Sequence, residues 1–208
     1  KDMKKKQTFQ PEWRTTPPFP QSFRSIFKWG APDGFKHPNP GLYRLLKSTF
    51  GLNDNDFRSK VNEGDGKVSL GPDRAPGLSA EQVAAFEAIV GKDNINADDY
   101  ARVKYSNGKT MEEIALLREG RTAELCDLVV HPRNREDVQA IVRYAHEQKI
   151  PVYVFGGGSS VTLGLRPSKG GITLVMSTHM KRITEFNETN QTVTAECGIM
   201  GPDLEEAL

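Results

Sequence analysis

Apolar residues recur three and four positions apart in four stretches of the chain; elsewhere they run together or alternate. The first pattern predicts helices and the second strands. In "NPGLYRLLKSTFGL", Leu42, Leu45 and Leu46 share a face, Pro40 fits a first turn and Gly51 an end. "LSAEQVAAFEAIVG" places Val83, Phe86, Ile89 and Val90 on one stripe, with Ser79 and Gln82 as a capping box and Gly91 as the stop. "KTMEEIALLREG" repeats that grammar through Thr110, Glu113 and Gly120. In the fourth, Asn134 caps a helix whose apolar positions are Val138, Ile141, Val142 and Ala145.

That fourth helix lies between two apolar runs, "CDLVVHP" and "VYVF", which predict strands in a strand–helix–strand unit, most simply a parallel crossover. "GITLVMS" predicts a third strand, and "RITEFNETNQTVTAECGI" two more joined around "NETN". "GPDLEEAL" opens a helix with Pro202 in its first turn. The chain stops within that helix, so the sequence is expected to be part of a longer protein. The segment "VNEGDGKVSLGPDRAPG" predicts loop, or a short hairpin at most.

The expected fold class is α/β, in three parts. Residues 1–38 form a proline- and aromatic-rich arm whose Trp13, Phe19, Phe23, Phe27 and Trp29 are expected to pack on something. Residues 39–122 form a helical region, and 123–208 an incomplete α/β domain. Composition narrows the function classes. The 208 residues are 37% hydrophobic and 26% charged, with a net charge of +1. No global field draws the chain to nucleic acid, and no apolar run is long enough to span a bilayer. The basic start "KDMKKKQTFQ" lacks the apolar stretch of a secretory signal. Cys126 and Cys197 make neither a disulfide framework nor a metal cluster, so no metal is expected.

The chemistry concentrates in "IPVYVFGGGSSVTLGL". Glycines at the carboxyl end of a buried strand let successive backbone N–H groups converge on an anion. A P-loop would need Gly-Lys-Ser/Thr where Ser159-Ser160-Val161 stand, and a dinucleotide fingerprint would need glycine at Val161 and a helix after it. "TLGLRPSKGG" is too broken for that helix. Phosphate would therefore be held by loop amides and the Ser159 and Ser160 hydroxyls. The same glycines suit a tight turn or a close backbone crossing, and spacing alone leaves the two readings level.

The run "PVYVFGGGSSVTLGL", then a strand, "MKRI" and "ECGIMG", resembles the FAD-binding module of the vanillyl-alcohol oxidase (PCMH-type) flavoproteins. Within that superfamily the nearer likeness is to the alkyldihydroxyacetonephosphate synthases and bacterial FAD-linked oxidases. "DDYARVKYSNGKTMEEIALLREG" resembles the segment before that module, and "LCDLVVHPRNREDVQAIVRYAHEQKIPV" its opening strand–helix–strand. The resemblance covers about residues 99–208. It implies FAD as cofactor, with Val154, Phe155, Gly156, Gly157, Gly158, Ser159, Ser160 and Val161 along its pyrophosphate. Gly164 would turn the loop back, and Gly198 and Gly201 would lie near the flavin. Family members that tether flavin often place histidine at the position of Ser159, so the resemblance implies non-covalent FAD here. An aspartate of the synthase-like pattern is replaced by Met176.

Three functions follow from the resemblance. The first is exchange of the acyl chain of an acyl-dihydroxyacetone phosphate for a fatty alcohol through a flavin adduct without net redox. The second is oxidation of a 2-hydroxy acid or alcohol by hydride transfer to flavin. The third is a non-catalytic FAD-binding domain. The segment "YSNGKTMEEIALLREG" favours the first over the second, and the complete glycine loop argues against the third. Catalytic residues are expected beyond Leu208. Partners are expected to be a small-molecule or lipid-like substrate and not nucleic acid; the family is compatible with peripheral membrane contact and a homodimer. The expected compartment is cytoplasmic in a bacterium or peroxisomal in a eukaryote. His131, His146, Arg118, Glu119 and Arg121 read as structural or surface residues. His179 sits near the expected cofactor, and Cys197 reads as a buried inert thiol.

Overall fold

The computed structural model describes residues 18–27, 38–58 and 66–208. Trp13, Trp29 and the basic start of the chain lie outside the described residues. The arm contributes one short helix, α1 (Phe23–Phe27), with Phe23 and Ile26 buried. Phe19 is exposed. In α2 (Pro40–Phe50), Asn39 caps the start and Gly51 ends it at φ +64°. Its leucine face is not buried, with Leu42 and Leu45 at 44% and 58% exposure. A short α3 (Asp54–Arg58) follows.

The segment from 66 to 79 is loop with one 3-10 turn at Pro72–Arg74. Then α4 (Ala80–Val90) begins at Ser79, and both hydrogen bonds of the capping box are present. Two elements come next that periodicity did not reveal. One is β1 (Ile95–Asn96), and the other is α5 (Asp99–Lys104), capped by Asp98. Then α6 (Met111–Arg118) starts from a second capping box, Thr110 with Glu113.

The α/β part holds β2 (Leu128–Val130), α7 (Arg135–Gln148), β3 (Val152–Phe155) and β4 (Ile172–Val175). The sheet order is β1-β2-β4-β3. Both β2 and β3 pair in parallel with β4, so the crossover through α7 is parallel but skips a position that β4 fills. The edge strand β1 is antiparallel to β2 and comes from the expected helical region, which thus shares the sheet.

Alternation along the strands sorts two cores. Leu128, Val130, Ile172 and Leu174 face α4 and α7, meeting Phe86, Val90, Ile141 and Ala145. Val142 instead faces solvent; the half-buried Tyr144 takes the inner position, its ring edge-on to Phe86 at 5.2 Å. On the opposite face, Val129 and Val175 meet Ala101 and Cys126, with Tyr105 and Phe155 against them. A third cluster of Phe23, Ile26, Val68, Val103, Leu117 and Leu125 holds α1, α5 and α6 together. Beyond the sheet, β5 (Ile183–Asn187) and β6 (Thr192–Ala195) form a hairpin, and α8 (Gly201–Ala207) follows.

Candidate functional site

The glycine loop leaves the carboxyl end of β3, the edge strand of the sheet, which pairs with β4 on one side. No helix follows it. Gly158 sits at φ +67°, and a Cβ there would run into the Phe155 ring. Only glycine fits that position without strain. Its neighbours are different. A Cβ on Gly156 would meet nothing within 4 Å, and one on Gly157 would meet only the Met200 side chain at 3.5 Å. These two α-carbons face open space, which leaves their backbone approachable by a ligand.

That space is a cleft of about 610 Å³, within the usual range for a ligand site, roughly 300–1,000 Å³. One wall is Phe155, Gly156, Gly157, Gly158 and Ser159. The other comes from the helical region: Tyr100, Lys104, Tyr105, Asn107 and Lys109. Ser177, Lys181 and Met200 close one end. Of the remaining expected residues, Val154 and Val161 are largely exposed, and Ser160, Gly164 and Gly201 stand outside the lining. The Ser160 hydroxyl accepts from the Gly164 N–H at 3.2 Å, folding the loop on itself. Gly198 packs against the Met176 carbonyl, and its N–H donates to Met180 O at 2.8 Å, away from the cleft lining.

The two walls are bolted together. The Lys109 N–H donates to Ser160 O at 2.6 Å. A Cβ on Gly108 would stand 2.6 Å from that same oxygen, so the backbones meet there without room for a side chain. The buried Glu113 carboxylate fixes this turn, accepting from the N–H of Gly108 at 2.7 Å and of Thr110 at 3.0 Å, and from the Thr110 hydroxyl at 2.8 Å. Nearby, the buried Arg102 donates to Cys126 O at 2.9 Å, and the Ser106 hydroxyl accepts from the Cys126 N–H at 2.8 Å. The helical region is thereby tied to the start of β2 as well.

Behind the cleft, the Tyr105 ring stands edge-on to Phe155 at 4.9 Å and to His131 at 5.7 Å. His131 bonds Asn96 Oδ1 through Nε2 at 2.9 Å and the Thr178 hydroxyl through Nδ1 at 2.7 Å. Burial pushes its pKa down, and the charges of His179 and Lys104 push the same way. His131 is therefore a neutral strut between β1 and the 3-10 turn Met176–Thr178 that follows β4. His179 is exposed and bonds Asn94 at 2.6 Å, outside the cleft lining. Burial also pushes the Cys126 thiol up, which keeps it inert. Cys197 is a correction: it is exposed, in the turn after β6, because the strand ends at Ala195. Among the described residues no group of three or more His, Cys, Asp or Glu side chains could hold a metal. No helix among them is long and apolar enough to cross a membrane.

Of the residues expected from the sequence, Phe155–Ser159 line the cleft; Lys104, Tyr105, Lys109, Lys181 and Met200 line it as well and were not expected there. The signal was "YSNGKT": a glycine turn carrying a lysine, immediately before a capping box.

Residues 126–208 match the family described as "FAD binding domain". A relative named alkyldihydroxyacetonephosphate synthase, from Trypanosoma brucei brucei, is 30% identical over 130 residues, which are 61% of this chain and 21% of that protein. Glycolate oxidase subunit GlcD of Bacillus subtilis is 27% identical over 120 residues, 58% of this chain and 23% of that one. The chain thus spans about a fifth of the length of the curated relatives it matches. A solved alkyldihydroxyacetonephosphate synthase shares the fold with a TM-score of 0.65 at 24% identity, covering 81% of this chain and 32% of that one. The open faces of Gly156 and Gly157, beside three lysines, fit a dianionic diphosphate. Residues 126–208 therefore match an FAD-binding domain, and FAD is its cofactor.

Proposed function

We propose that the intact protein is an FAD-dependent enzyme of the alkyldihydroxyacetonephosphate synthase kind, exchanging the acyl chain of an acyl-dihydroxyacetone phosphate for a fatty alcohol. The observation that carries this reading is the extent of the fold likeness. It covers 81% of the chain, well beyond residues 126–208, and so takes in helical region that builds the second wall of the cleft. Bound FAD would supply a ring able to accept and return electrons without leaving the site. The chain's own residues bind, orient and exclude water. Val154–Val161 would follow the diphosphate, with Gly156 and Gly157 giving the close approach and Gly164, Gly198 and Gly201 shaping the path toward the ring. The edge-packed Tyr105 and Phe155 hold the loop's base rigid and apolar. FAD would be held without a covalent bond, because the loop offers only serine hydroxyls, which are weak nucleophiles at their ordinary pKa. Acid precipitation should leave a colourless pellet and free FAD in solution.

A second reading, oxidation of a small 2-hydroxy acid, draws on the similarity to the glycolate oxidase subunit. One experiment separates the two. Anaerobic protein given acyl-dihydroxyacetone phosphate and a long-chain alcohol should release fatty acid and form the ether, with no electron acceptor consumed. Bleaching of the flavin by glycolate or lactate, with no ether formed, would instead establish the oxidase.

A further inference from the structure

The glycine loop has no helix behind it, so nothing in the loop itself carries positive charge. The structure supplies that charge from elsewhere. Lys104, Lys109 and Lys181 all line the cleft that Gly156–Ser159 open into. They are not equivalent. The Lys104 ammonium lies over the Tyr105 ring at 4.9 Å and the Tyr100 ring at 5.8 Å. Lys181 precedes β5 on an exposed stretch. Lys109 alone is joined to the loop through its backbone, by the bond from its N–H to Ser160 O. Its side chain runs back along the cleft, and the ammonium donates to Ile26 O in α1.

We propose that Lys109 is the cation that binds the FAD diphosphate, delivered to the glycine loop by the helical region. The inference rests on the reading of Gly156–Ser159 as the diphosphate cradle. Its physical basis is the half-buried Lys109 ammonium at the cleft, with no ion-pair partner among the described residues. Partial burial lowers its pKa to about 8, Glu113 of α6 opposing the shift and Lys104 of α5 adding to it. Lys181 and the phenols of Tyr100 and Tyr105 also line the cleft, and the surrounding helices carry Arg24 on α1, Asp99 and Arg102 on α5, and Glu112 and Arg118 on α6. A partly desolvated ammonium that donates to one carbonyl gains when an anion joins it. A diphosphate provides that anion, and Lys109 has two more N–H donors to offer it.

The pH dependence follows with a definite sign. Below about pH 8 the free protein already carries the proton, and FAD affinity is flat. Above it, an anion that requires the charged lysine must bring a proton in with it. Affinity then falls by about tenfold per pH unit, until the raised pKa of the bound state is reached. An arginine at this position stays charged and removes the slope.

The test is FAD titration of the intact apoprotein between pH 6.5 and 9.5, followed by flavin fluorescence, with melting temperature recorded for each variant. Lys109→Met should weaken FAD about tenfold or more at pH 7 and abolish the slope above pH 8. Lys109→Arg should retain affinity at pH 7 and lose the slope. Gly157→Asp is the control for the cradle. If Gly157→Asp abolishes binding while Lys109→Met leaves both affinity and slope unchanged, the cradle stands and the lysine assignment is wrong; Lys109 is then only a staple to α1. If neither variant changes FAD binding, the cradle reading fails and the lysine assignment falls with it.

Discussion

The two walls of the cleft are built by opposite means. The loop wall, Phe155–Ser159, is backbone: side chains are removed where the ligand approaches, and a strand end gives the direction. The helical wall, Tyr100–Lys109, is side chain: aromatic edges and ammonium groups are held by capped helices. A backbone wall recognises an anion by convergent N–H groups and loses it when a charged side chain enters the approach. A side-chain wall contributes charge and apolar cover and tolerates conservative change. The contact between the two, Gly108 and Lys109 against Ser160, is where the helical region meets the glycine loop.

This difference predicts a hierarchy of mutational effects. Gly157→Asp should have the largest. A Cβ fits there at 3.5 Å from a flexible methionine, so the protein should still fold. The carboxylate, however, enters the space of the diphosphate, and flavin retention should be lost. Absorbance at the flavin band of the purified protein, with circular dichroism to show folding, decides it. Normal flavin content would make both walls structural.

Gly108→Val comes next, since it strikes the joint. Its Cβ would press on Ser160 O, so the turn must shift, costing about 1–3 kcal/mol. Thermal melting should register the loss, and FAD affinity should fall with it because the loop is pushed from below. Unchanged affinity in a destabilised protein would show that the walls act independently.

The smallest effect separates helix capping near the joint from capping far from it. Ser79→Ala and Thr110→Ala each remove one capping box, worth about 1 kcal/mol. Both should lower the melting temperature. Only Thr110→Ala should also weaken FAD, because Thr110 shares Glu113 with Gly108. Equal FAD affinity in the two variants would remove Glu113 from the account.

The backbone wall was legible in the sequence and the side-chain wall was not, for a physical reason. Three glycines after a strand announce a missing-side-chain device locally, and the capping boxes at Ser79 and Thr110 announce their helices as directly. Lys109 owes its role to a contact with Ser160, fifty-one residues away, that no local pattern encodes. The two residues of β1 are too few to alternate, and their place is set by pairing with β2. The insertion of β4 between β2 and β3 is likewise a tertiary choice. Val142 satisfied the helical period yet faces out, because the edge of the apolar stripe is filled by Tyr144 against Phe86. Cys197 was misplaced by extending β6 two residues too far.

FAD lying between these two walls, with its diphosphate on the glycine loop, would shield both from solvent. Hydrogen exchange of the intact apoprotein, with and without FAD, tests it most directly. Slowed exchange should concentrate in peptides spanning 154–161 and 104–110, while the hairpin 183–195 stays unchanged. Bound FAD with no change in exchange across 154–161 would contradict the account.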